Sequence, residues 1–79
     1  MPTLLVEKGF RFFFYSNENN EPVHVHILKA DGNGKVWLHP NTEVAYFVGF
    51  SHSEQKDILA IIEVNSEKFK QKWYEYFAK

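Results

Sequence analysis

Cysteine is absent from this chain, which excludes a disulfide framework and any thiolate metal site. An excess of charge of either sign is absent too. Nine Lys and Arg stand against ten Asp and Glu, a formal net charge of −1. There is no global basic field of the kind that drives nonspecific nucleic-acid binding, so any such contact must use a local patch. No apolar run approaches the roughly 20 residues needed to span a bilayer. The opening Met1-Pro-Thr-Leu-Leu-Val-Glu-Lys8 lacks a cationic stretch followed by a long apolar one. The expectation is a cytoplasmic protein that does not engage a membrane. No phosphate-cradling Gly-rich loop, nucleophile elbow or zinc-protease motif occurs either.

Aromatic residues are abundant instead: eight Phe, four Tyr and two Trp in 79 residues. A single domain of this length has little core to spend, on the order of 3–5 kcal/mol of net stability. Large rings compensate for that, and burial against a second chain, as a homo-oligomer or with a partner protein, is the other route.

The chain divides into a strand-rich part, residues 1–49, and a helical part, residues 50–79. Thr3–Lys8 reads as a first strand, and aromatic-dense Phe10–Ser16 as a second. The polar stretch 17–22 is a loop. Val23–Ala30 is a third strand, Asp31-Gly-Asn-Gly34 a hairpin turn, and Lys35–His39 a fourth strand stopped by Pro40. Thr42–Val48 is either a fifth strand or an irregular, partly helical segment. Ser51-His-Ser-Glu54 is a capping box, opening a helix with Ile58, Leu59, Ile61 and Ile62 on one stripe. Asn65 or Ser66 opens a second helix with Phe69, Trp73, Tyr76 and Phe77 on its apolar side. The expected fold is α+β: an antiparallel sheet of four or five strands with two C-terminal helices packed on one face.

Alternation sorts the strand residues onto two faces. Phe10, Phe12 and Phe14, Val25 and Ile27, Val36 and Leu38 form the apolar set under the helices. The opposite set is Arg11, Phe13 and Tyr15; His24, His26 and Leu28; Lys35, Trp37 and His39. That second face gathers base, cation and phenol chemistry.

His24 and His26 are the leading candidates there. Imidazole titrates near neutral pH, which suits acid/base work. The same pair could also supply two ligands to a divalent metal, with Glu18, Glu21 or His52 completing the set, or could be hydrogen-bonding groups with a structural role. Arg11, in an aromatic strand, needs a counter-charge from Glu7 or Glu43, or receives a phosphate from solvent. Lys35 and Tyr15 complete the candidate catalytic set. Trp37 and Glu18 are candidates for substrate binding, and burial against a partner is the competing reading for Phe13 and Trp37.

The segments Met1-Pro-Thr3, Gly9-Phe-Arg-Phe-Phe-Phe-Tyr-Ser-Asn-Glu18, Pro22-Val-His-Val-His26, Lys35-Val-Trp37 and Gly49-Phe-Ser51 together resemble a family of small bacterial proteins, domain-of-unknown-function family 4160. Pro22-Val23 stands where the family pattern has Pro-Pro, and both His residues remain in place. Genes of the family commonly sit beside a second small gene. The resemblance therefore implies a toxin neutralised by a small antitoxin protein from the adjacent gene.

Three functions follow as expectations. The first is a toxin acting on RNA or the ribosome by metal-independent acid/base cleavage, with no cofactor. The second is a metal-binding enzyme built on His24 and His26. The third is a noncatalytic protein-interaction module.

Overall fold

The computed structural model describes residues 3–17 and 20–78. Five strands, β1 (Thr3–Glu7), β2 (Phe10–Phe13), β3 (His24–Lys29), β4 (Gly32–Trp37) and β5 (Glu43–Val48), precede one helix, α1 (His52–Phe77). The sheet is an antiparallel meander in the order β1-β2-β3-β4-β5. Short connections make that arrangement natural, since each strand pairs with its sequence neighbour.

Phe10, Phe12, Phe14, Val25, Ile27, Val36 and Leu38 are all buried against Ile58, Ile61, Ile62, Phe69 and Trp73 of the helix. Alternation had assigned these strand residues to the core face, and they form it. Phe12 stacks on Phe69 at 5.7 Å, and Phe14 contacts Trp73, Tyr76 and Phe77 at 5.0–5.3 Å.

Three expectations need correction. The C-terminal half is one 26-residue helix, not two. Asn65 and Ser66 resemble helix-opening residues, but nothing nearby breaks the chain. Asn65 Nδ2 donates to the Ile61 carbonyl at 2.8 Å, so the amide turns back on its own helix. The two apolar stripes then run on as one. The capping box at the start is as expected: Glu54 N–H donates to Ser51 Oγ at 3.1 Å, and Ser51 N–H to Glu54 Oε1 at 2.9 Å.

The hairpin turn is shorter than the Asp31–Gly34 signature implied. Lys29 pairs with Gly32, so only Ala30 and Asp31 turn the chain, with Ala30 at φ 51°. Gly32 and Gly34 belong to β4, where they let rings lie flat on the backbone. A Cβ at Gly32 would stand 2.5 Å from the Phe50 ring, and one at Gly34 would stand 2.7 Å from the Phe47 ring.

β2 also ends early, at Phe13 rather than Ser16. Its register with β1 begins at Thr3–Phe13, and with β3 at His26–Phe13. Phe14 still reaches the core from the segment that follows. Thr42–Val48 resolves as a strand, with Ala45 as an extra residue opposite the Lys35–Val36 step.

Candidate functional site

The sheet face opposite α1 carries a row of paired residues, Phe13–His26–Lys35–Tyr46, one from each of β2 to β5. A neighbouring row runs Val6–Arg11–Leu28–Asn33–Val48 across all five strands. Period-two alternation places these side chains together.

His26 is the centre of the first row and is 7% exposed. Its ring stacks on that of Phe13 at 5.5 Å and meets Tyr15 edge-on at 4.8 Å. A shallow cavity of about 210 Å³ opens above it, lined chiefly by Phe13, Tyr15, His26, Leu28, Asn33 and Tyr46.

Arg11 stands at the edge of this cluster, its guanidinium 5.3 Å from the Phe13 ring centroid. Nε donates to Thr3 Oγ1 at 3.0 Å. Among the described residues, no carboxylate lies within ion-pair distance of Arg11, so neither Glu7 nor Glu43 is its counter-charge. Among the described residues no carboxylate fixes its outer nitrogens, and guanidinium geometry suits a phosphate.

Lys35 is the register partner of His26, but its ammonium turns away from the cavity. Nζ pairs with Glu21 Oε1 at 2.9 Å and lies 4.3 Å from the Trp37 ring centroid. Trp37 is accordingly half-buried beneath it.

His24 stands apart from the others. It is 1% exposed, wedged between Trp37 at 5.2 Å and Trp73 of the helix at 4.9 Å, with His26 at 5.1 Å. Nδ1 lies 2.9 Å from the Pro22 carbonyl, so that nitrogen carries the proton. The two imidazoles are therefore not equivalent: His26 faces a cavity, and His24 is packed into the fold. Among the described residues, no third His, Cys, Asp or Glu joins them in a group that could hold a metal. Glu18 lies outside the described residues.

Phe13 is 1% exposed within this single chain. Arg11, Tyr15 and His26 cover it, so its burial requires no second protein. Sequence reasoning missed Tyr46 and Asn33, which line the cavity, and Glu21 as the partner of Lys35. Tyr46 would have been found by pairing β5 with β4, but the segment's ambiguity left its register open.

The family model described as Domain of unknown function (DUF4160) matches residues 9–74. The chain belongs to the DUF4160 family. The match takes in β2 through most of α1, and so every residue lining the cavity. No curated protein and no solved structure matches this DUF4160 chain. No helix among the described residues is long and apolar enough to cross a membrane.

Proposed function

We propose that this chain is the toxin of a two-protein bacterial pair, working in the cytoplasm on RNA, with a small protein from the adjacent gene as its antitoxin. The observation that carries the reading is His26 at the floor of a cavity ringed by Tyr15 and Tyr46, with the Arg11 guanidinium nearby and no ion-pair partner for it among the described residues. Cleavage of RNA without a metal needs three groups. A base takes the 2′-hydroxyl proton as that oxygen attacks phosphorus, a cation steadies the anionic phosphorane, and an acid protonates the departing 5′-oxygen. His26 suits the first role, Arg11 the second and Tyr15 the third. Tyr46 and Tyr15 offer π-faces on which a base can stack. Lys35 is neutralised by Glu21 and lies over Trp37, so both serve by holding the sheet face in place. His24 serves by packing. A net charge of −1 favours a structured RNA or the ribosome over any exposed strand.

A second reading, a noncatalytic interaction module, draws support from the burial of both imidazoles. Induced expression in a bacterial host, with and without the neighbouring gene, separates the two. Wild type is expected to arrest growth and fragment RNA, the His26→Phe variant to do neither, and the neighbour to protect. Growth arrest by His26→Phe equal to wild type would remove the catalytic role.

A further inference from the structure

The two edges of the sheet are treated differently. On β1, Leu4 and Leu5 pack against the core, and Lys8 just beyond it pairs with Asp57 of α1 at 3.8 Å. On β5, all residues but Phe47 are exposed, with Tyr46 at 41% and Val48 at 55%. Natural sheets blunt free edges with Lys, Pro or a bulge. β5 contains neither Lys, Arg nor Pro, and its bulge at Ala45 leaves Tyr46–Val48 regular up to Gly49, whose φ of 78° ends the strand.

We infer that β5 pairs antiparallel with β5 of a second copy of this chain, about a two-fold axis at Phe47. The register is self-complementary. Tyr46 faces Val48 of the second copy and Val48 faces its Tyr46, giving two identical aromatic and β-branched cross-strand pairs. The two Phe47 rings, each already packed against its own core and 5.9 Å from Phe50, meet on the other side. Charge favours a second copy as the occupant. Glu43 is the strand's one charge, and this register carries it past the second copy's Gly49 towards the start of its α1. The peptide dipole there favours an anion, and Glu54 in that turn is already paired with Lys29 at 3.6 Å. A parallel pairing would instead set Glu43 on Glu43. Because Tyr46 also lines the His26 cavity, the pairing sets both cavities on one face of a continuous ten-stranded sheet. The inference does not rest on the RNA reading.

The test is the solution mass of the full chain by sedimentation or light scattering. Wild type is expected at twice its 9.4 kDa. Val48→Lys is expected to run as a folded monomer, and Val6→Lys on the opposite edge to remain dimeric. Tyr46→Glu combined with Val48→Lys is expected to regain the dimer, since this register sets the new carboxylate against the new ammonium. A monomeric wild type, a dimer that survives Val48→Lys, loss of the dimer in Val6→Lys, or failure of the double variant to recover it would each overturn the proposal.

Discussion

The imidazole of His26 lies 5.5 Å from the ring of Phe13, with 23° between the planes. Two stacked rings of this kind, closed at the edge by Tyr15, make a site whose floor is also part of the packing. Alternation alone makes His26 an open-face residue, whose loss would cost within about 1 kcal/mol as for most surface changes. At 7% exposure the expectation is different.

His26→Ala should therefore destabilise the domain by about 1–3 kcal/mol, because the ring's removal leaves a hole between Phe13 and Tyr15. His26→Phe keeps a ring in the stack and should cost less than about 1.5 kcal/mol. Thermal or urea melts of the two variants check this directly. Equal melting of His26→Ala and wild type would mean that the stack contributes nothing.

Gly32 makes a second sharp case. A Cβ there meets the Phe50 ring at 2.5 Å and the Gly49 carbonyl oxygen at 3.0 Å. Phe50 belongs to the core and the carbonyl belongs to the backbone, so neither gives way easily. Gly32→Ala should cost about 1–3 kcal/mol, as overpacking commonly does. Asn33→Ala next door, on the half-buried open face, is the comparison. A Gly32→Ala midpoint in urea at or above that of Asn33→Ala would refute the packing role of this glycine.

Much of this architecture is legible in the amino-acid sequence. Period two named the residues that β2, β3 and β4 send under the helix, though not Leu4, Leu5 or Phe47 at the sheet edges, and Ser51 with Glu54 marked the helix start. The errors have physical causes. Asp31-Gly-Asn-Gly34 carries turn residues because Gly32 and Gly34 also serve as flat floors for Phe50 and Phe47, and composition does not separate those uses. Asn65 or Ser66 suggests a helix start because such side chains compete for backbone groups, yet in place the Asn65 amide bonds the carbonyl four residues back. In the candidate site, the alternation correctly set Arg11, Tyr15, His26 and Lys35 on one side. It could not show that Glu21 draws Lys35 away or that Trp73 reaches His24, since both contacts join segments distant in sequence.

The capping box predicts a pH dependence. The Ser51 backbone N–H, and then Lys29, hold the Glu54 carboxyl below its ordinary value of 4.5. A carboxyl depressed in the folded state gives stability that is present above its unfolded value and lost as pH falls through its folded value. Wild type should lose melting temperature on acidification below about pH 4.5, and Glu54→Gln should lose less over the same window. Parallel melting curves for the two proteins down that range would contradict the assignment.

Arg11 provides the test of the RNA reading that leaves folding intact. Its guanidinium donates to Thr3 and covers the face of Phe13, and Arg11→Ala should cost within about 1 kcal/mol of stability. If the outer nitrogens take a phosphate, their loss removes one ionic contact with the nucleic acid. The slope of log affinity against log salt for a structured, largely double-helical RNA should then shrink by about 0.9. Arg11→Lys should keep most of that slope, since it preserves the charge, but bind more weakly for want of the two-pronged fork. Fluorescence anisotropy across a salt series gives all three slopes. An unchanged slope in Arg11→Ala would place the RNA-binding surface elsewhere, because a lost phosphate contact must show in the salt dependence whatever the sequence bound.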